Sequence, residues 1–370
     1  HNIWEYHYST GDQEFMDQYG LEMLLEIARF WASIAQLDES DGRYHISGVM
    51  GPDEFHEKYP GASYENGGFK DNAYTNVMVA WLLDRVTAEF RAMDEEARKQ
   101  LVEKIGFQER ELENWAEIVG KLAVEMDDEG VMSQFAGYRD LKELDWDAYR
   151  EKYDDIRRMD RILKAEDDTP DNYQVSKQAD TLMIWYILTP REVAEVLEKM
   201  GYKVDDPYEF LRRNYEYYVR RTSHGSTLSY VVHAAILTYL PGNEEDMCDW
   251  FLEALRSDIY DTQGGTTLEA IHCGVMAGSL QIVVDNFAGL EARPGEILLM
   301  PSMPCGWDRT AFCLLYRGNR YDVEVTNHTV QAAMAGSGET KVRVNGSAAT
   351  LKPGDLVTLT YSKEHRTERG

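Results

Sequence analysis

Cysteine is scarce in this chain, and the little there is forms no pattern. Cys248, Cys273, Cys305 and Cys313 include no Cys-x-x-Cys pair and no compact disulfide framework. The expectation that follows is a reduced, cytoplasmic protein. Positive charge is also short: 38 Lys and Arg stand against 66 Asp and Glu, for a net charge of −28. Without a basic patch, neither nucleic acid nor an anionic membrane is an expected partner. No apolar run is long enough to span a bilayer, and no signal peptide is recognisable. The nine histidines include no His-x-His or His-x-x-x-His spacing and no cluster with cysteine, so no metal site is expected. Any anion site in so acidic a chain has to be local, built from backbone amides, hydroxyls and a few cations.

What is present is a large core. Hydrophobic residues make up 43% of 370, with 8 Trp, 23 Tyr and 11 Phe, and one large plus one small domain is the expected division. The chain opens on His1-Asn-Ile-Trp-Glu-Tyr, which reads as already inside a helix. From Asp12 to Gln36, Phe15, Tyr19, Leu24, Ile27, Ala28, Trp31 and Ile34 recur at threes and fours, which predicts a helix with that face in the core. Helical patterns return from Asn72 to Met93, Glu95 to Lys104 and Arg110 to Met126. Thr189-Pro-Arg-Glu192 is a capping box with proline at the first helical position. Further helices are expected over 208–220, 228–239, 244–259 and 268–287. Such paired helices in series suggest an α/α toroid, and an irregular bundle is compatible with the same pattern. The stretch from Asp127 to Asn172 is rich in Asp, Tyr and Arg and reads as long connections covering a site. After Pro294 the period changes to two, with strands expected over 296–300, 311–316, 321–326, 340–344 and 356–361, forming a small antiparallel β domain.

The segment that carries chemistry runs from Gly48 to Asn76. Gly51-Pro52 ends regular structure, and Asp53, Glu54, His56 and Glu57 crowd into the next five residues. Gly-Pro-Asp-Glu-Phe-His at 51–56, followed by Asp-Asn-Ala-Tyr-Thr-Asn at 71–76, resembles the catalytic-acid segment of glycoside hydrolase family 65. The resemblance recurs in order at Val175-Ser-Lys-Gln-Ala-Asp180, at Arg221-Thr-Ser-His-Gly-Ser-Thr-Leu-Ser229 and at Gln263-Gly-Gly-Thr-Thr-Leu-Glu-Ala-Ile-His272. The family comprises inverting disaccharide phosphorylases acting on maltose, trehalose, kojibiose and similar α-glucosides, with some hydrolases. The fold it implies is mainly α: a partial (α/α)6 barrel over residues 1–290, then a small antiparallel β-sandwich over residues 291–370. Family relatives carry a β-sandwich and the first barrel helices upstream, and neither is recognisable here.

By this resemblance Glu54 is the general acid. It is flanked by Asp53 and Glu57, whose negative charge opposes its ionisation. Asp53 and His56 are candidate substrate contacts, with Tyr59, Tyr64 and Phe69 of the same loop available to a leaving sugar. Lys177 and Gln178 supply donors and an acceptor for vicinal hydroxyls of the glucosyl unit. The resemblance implies a phosphate site from His224, Ser226 and Thr227 at one helix start and Gly265, Thr266, Thr267 and His272 near another. Many family phosphorylases show His-Asp-Ser-Ser at the first of these loops, so His-Gly-Ser-Thr is a departure.

The activity implied is inverting phosphorolysis of a trehalose-, maltose- or kojibiose-like disaccharide to β-glucose 1-phosphate. Inorganic phosphate is the co-substrate, and no cofactor is expected. A hydrolase on the same scaffold is the alternative, with Glu269 or Glu216 as base, and a non-catalytic sugar-binding protein is the third reading. The partners expected are the disaccharide and phosphate, with the assembly left open, a homodimer included.

Overall fold

The structure, a computed structural model, describes residues 1–262, 266–268, 270–304 and 306–362, with Thr266 described in its backbone alone. The chain is mainly helical, with a β domain rich in antiparallel pairing toward its C-terminal end. It divides into two compact units, one formed by Asp17–Val232 and the other by His1–Met16 with His233–Gly370.

In the first unit the helix Ala73–Ala92 is the organising element. Asn72 caps it by accepting from the amide of Thr75. It buries Ala73, Val77, Val79, Ala80, Trp81, Leu83, Val86 and Phe90, so it is apolar nearly all round, the mark of a helix with neighbours on every side. Those neighbours include Leu21–Ile34, Glu109–Lys121 and Pro190–Lys199. The capping box at Pro190–Lys199 forms as the sequence predicts: Thr189 Oγ1 accepts from the Glu192 amide and the Glu192 carboxylate accepts from the Thr189 amide.

The helix expected from Asp12 starts there, with Asp12 capping Gln13–Phe15, and passes through a π-turn over Met16–Gly20 into the longer helix Leu21–Ile34. Its buried face is Leu21, Leu24, Leu25 and Ala28, while Tyr19, Met23, Ile27 and Phe30 are exposed. The periodicity there contains two apolar stripes, and spacing alone does not rank them. A two-stranded hairpin, β1 (Gln36–Asp38) and β2 (Arg43–His45), leads from this helix toward the acid segment. The stretch over 127–172 holds the helices Trp146–Lys152 and Met159–Ala165 and two short 3-10 turns. Among the described residues, no helix is long and apolar enough to cross a membrane.

The second unit contains two four-stranded sheets. One has the order β10-β7-β6-β5, from β5 (Arg309–Tyr316), β6 (Asn319–Thr326), β7 (Thr329–Ala335) and β10 (Leu356–Thr360). The other has the order β3-β4-β8-β9, from β3 (Leu290–Arg293), β4 (Glu296–Leu299), β8 (Thr340–Val344) and β9 (Ser347–Leu351). Ile297, Leu299, Val342, Val344 and Leu351 of one pack with Tyr321, Val323, Val325, Val330 and Met334 of the other in a single apolar core. One pairing departs from the antiparallel expectation: β4 and β8 run parallel, because the chain crosses to the other sheet and back between them. The helix Asn2–Thr10 belongs to this unit and packs on β3 and β5.

Candidate active site

The acid segment is an irregular loop closed by backbone bonds at both ends. Val49 and Phe69 bond each other reciprocally, and the amide of Gly68 donates to the carbonyl of Glu57. Phe69 stacks on Phe135 at 3.9 Å, and Tyr59 and His56 pack edge-on against that pair. Tyr59 Oη donates to the carbonyl of Ala136 and accepts from the amide of Lys70. Of the loop aromatics read as candidate sugar contacts, Tyr59 and Phe69 therefore serve the loop's own core. Tyr64 is 77% exposed, with the Lys58 ammonium over its ring.

Glu54 sits at the sharpest point of the turn with φ = 68°, a left-handed conformation costly for a residue with a side chain, at about 1–3 kcal/mol. Its side chain is 60% exposed, and Oε2 lies 2.7 Å from Lys177 Nζ. The charges beside it differ from the expectation. Asp53 is turned inward and buried, so what meets Glu54 directly is an ammonium.

Asp53 is held from several sides. Oδ1 accepts from the Lys177 amide at 2.5 Å, and Oδ2 from His56 Nδ1 at 3.0 Å and Gln134 Nε2 at 3.3 Å. His56 is 3% exposed, and its Nε2 donates to the carbonyl of Tyr173 at 2.9 Å. A carbonyl only accepts, so Nε2 carries hydrogen, and the contact with Asp53 needs a second proton on the imidazole or shared with the carboxyl. Burial works against the imidazolium, but the hydrogen bond and charge of Asp53 outweigh it, and the pKa of His56 lies above its ordinary value. Asp53 and His56, expected at the substrate, are thus buried and bonded to protein groups, because this turn needs ionic anchors beneath it.

Below the turn lies Asp180. Its Oδ2 accepts from the amide of Asp53 at 3.1 Å and its Oδ1 from Asn72 Nδ2 at 2.9 Å. It is 2% exposed, and burial followed by the nearby charge of Asp53 pushes its carboxyl up to about 7. Gly51 makes this contact possible: a Cβ there would lie 2.0 Å from Asp180 Oδ2. The connections over 127–172 brace the loop, with Asp171 Oδ1 accepting from the amides of Glu57 and Lys58.

Lys177 and Gln178 reach the acid turn from another segment of the chain, Lys177 at Glu54 and Gln178 at Pro52. Gln178 Nε2 donates to the carbonyl of Pro52, and its Oε1 is buried without a hydrogen-bond partner. The amide of Gly225 donates to the Lys177 carbonyl at 2.9 Å, which ties the His224–Thr227 loop to the same place. The departure from His-Asp-Ser-Ser has a steric reason: a Cβ at Gly225 would lie 2.4 Å from the Arg157 carbonyl oxygen, so the main chain at 157 fills that space. His224 has φ = 54°, and its Nδ1 lies 2.9 Å from Ser229 Oγ. Thr227 is buried and Ser226 half-buried, immediately before the helix Leu228–Leu237.

Thr267 and His272 belong to the other unit, where Thr267 donates to Asp261 and His272 is bonded through backbone and ring to Asp258. Gly265, Glu269 and the side chain of Thr266 lie outside the described residues. Glu216 is exposed, on the side of its helix opposite the buried Asn214, Tyr215 and Tyr218. Asp38, Asp41 and His45 come within 4.8 Å of one another, but the two ring nitrogens of His45 lie on Asp71 and Asp41. Sequence reading missed Asn72, Gln134, Asp171 and Asp180 as site residues. Asp180 left a signal, since it is an acid entering an otherwise apolar run.

The chain matches the description "Glycosyl hydrolase family 65 central catalytic domain" over residues 1–281, and "Glycosyl hydrolase family 65, C-terminal domain" over residues 290–351. It is 40% identical over 354 residues to a trehalose 6-phosphate phosphorylase of Lactococcus lactis, covering 96% of this chain and 43% of that protein. A kojibiose phosphorylase of Caldanaerobacter subterraneus is 32% identical over 356 residues, covering 94% and 42%. Among solved structures, a putative kojibiose phosphorylase from the human microbiome superposes with a TM-score of 0.75 at 24% identity, covering 97% of this chain and 48% of that one. The chain thus spans less than half the length of each of these relatives.

Proposed function

The chain belongs to glycosyl hydrolase family 65, and from that premise we propose that it carries the catalytic acid of an inverting α-glucoside phosphorylase. Glu54 donates its proton to the glycosidic oxygen as the bond from C1 to that oxygen breaks. Phosphate forms the new bond to C1 from the opposite face, giving β-glucose 1-phosphate and the released sugar. Phosphate brings its own negative charge, so no second carboxylate is required to activate the nucleophile. The observation that carries this reading is the presentation of Glu54: an exposed carboxyl on a strained turn, anchored from below, with Lys177 at 2.7 Å and the unpartnered acceptor of Gln178 nearby.

Two features support phosphate as the nucleophile. The His224–Thr227 loop is bonded to the Lys177 backbone and immediately precedes the helix Leu228–Leu237, so the Ser226 and Thr227 hydroxyls stand at a helix N-terminus, whose dipole favours an anion. Glu216 faces away from the buried side of its helix, which leaves it poorly placed as a base. The substrate class is an α-glucosidic disaccharide. Trehalose 6-phosphate heads the candidates, because the phosphorylase named for it shares 40% identity against 32% for the kojibiose enzyme. The test is product analysis on trehalose 6-phosphate, trehalose, maltose and kojibiose, each with and without inorganic phosphate. Phosphate-dependent release of β-glucose 1-phosphate from one of them is expected. Turnover to free glucose at the same rate without phosphate would overturn the proposal.

A further inference from the structure

The general acid of this site has no buried support of its own. Its carboxyl is mostly exposed, its backbone is in the left-handed region, and its one side-chain ion pair among the described residues is with a lysine that is itself 24% exposed. The turn is fixed by the residue before it, and that residue is fixed at two points. The side chain of Asp53 is held by the Lys177 amide, His56 and Gln134. Its amide is held by Asp180, whose other oxygen accepts from Asn72, the cap of the helix Ala73–Ala92. Both partners of Asp180 are donors, so both of its oxygens act as acceptors. An amide oxygen and an amide nitrogen in their place would leave one donor facing a donor.

We propose that Asp180 is a positioning residue for the general acid: it anchors the Gly51–Asp53 turn to the cap of the central helix, and so fixes where Glu54 delivers its proton. It does not touch the sugar or the phosphate. Gly51 belongs to the same device, since a methyl group there would occupy the position of Asp180 Oδ2. Displacing an acid by about 1 Å costs up to ~10²-fold in rate without changing what the enzyme binds. The signature is a loss in kcat confined to substrates whose leaving group must be protonated.

This proposal rests on Glu54 acting as the acid, and the experiment separates the two claims. Asp180→Asn, Gly51→Ala and Glu54→Gln are compared on the disaccharide that the wild-type protein uses and on α-glucosyl fluoride, both with inorganic phosphate. Fluoride leaves without a proton, so the second substrate needs the rest of the site but not the acid. Asp180→Asn and Gly51→Ala are expected to lose about 10–100-fold in kcat on the disaccharide, with KM for both substrates within about threefold. On α-glucosyl fluoride they are expected to stay within about threefold of wild type. Gly51→Ala perturbs the same contact from the other side, so one variant failing to fold leaves the other decisive. Equal losses on both substrates, or no loss on the disaccharide, would overturn the positioning role while leaving Glu54 as the acid. If Glu54→Gln shows no difference between the substrates, the general-acid reading fails and this proposal with it.

Discussion

The acid turn and the C-terminal β domain are held together by opposite means. In the β domain, regular strands alternate their faces, and the inward positions of two sheets form one apolar core from Ile297 to Tyr361. Around the acid turn there is little regular structure, and beside the apolar contacts of Phe55, Phe69 and Phe135 stands a set of buried polar anchors: Asp53, His56, Asn72, Gln134, Ser176 and Asp180. Apolar packing is non-directional and tolerates small shifts, whereas hydrogen bonds and ion pairs specify position. A site proposed to deliver a proton to one oxygen gains from the second kind of support. The division predicts that substitutions at the turn change rate more than stability, and substitutions in the β core the reverse.

The largest expected effect is at the tip of the turn. Glu54→Gln should lower kcat on the natural disaccharide by about 10²–10⁴-fold while leaving the melting temperature near that of wild type. A change in stability of comparable weight to the rate loss would break the contrast. The counterpart is Leu299→Ala in the β core. Leu299 is fully buried, and its truncation should destabilise the second unit by about 2–5 kcal/mol in denaturant unfolding, with rate per folded molecule unchanged.

A smaller effect separates the two regions by pH. Asp180 has its carboxyl raised to about 7, so the native state binds its proton more tightly than the unfolded chain does. The stabilisation from that proton is fully present below the ordinary carboxylate range and is lost as pH rises through about 7. His56, also raised, adds stability that is complete below its ordinary value and is lost at higher pH. Asp180→Asn should therefore flatten the decline of melting temperature between about pH 4 and 7, whereas Leu299→Ala should shift the whole curve without changing its slope. The smallest effect is expected at Tyr64. It is exposed on the acid loop, and Tyr64→Ala should raise KM for the disaccharide by only a few-fold, with kcat and stability kept.

Much of this contrast could be read from the sequence, though unevenly. The β domain was legible where side chains alternate, and less so where they do not. The strand Thr329–Ala335 reads Thr-Val-Gln-Ala-Ala-Met-Ala, whose alanines give no strand preference, and its pairing between β6 and β10 is set by tertiary context. Capping boxes and helix starts were legible because their bonds lie within a few residues, as at Thr189 and Asn72. At the site, the structure brings Lys177 to Glu54 and Gln178 to the Pro52 carbonyl of the same turn, contacts between two of the sequence motifs. The anchors did not show, because the bond from Asp180 to the Asp53 amide spans 127 positions and that from Gln134 to Asp53 spans 81. Charge crowding around Glu54 also misled, since neighbours in sequence pointed to opposite sides of a turn.

On the proposed mechanism, Glu54 protonates a leaving sugar while phosphate displaces it with inversion. The most direct measurement is proton and phosphorus NMR of the wild-type reaction on the trehalose 6-phosphate panel with inorganic phosphate present. β-Glucose 1-phosphate is expected as the first product, formed only when phosphate is supplied and abolished in Glu54→Gln. First formation of the α-anomer, or of free glucose independent of phosphate, would contradict it.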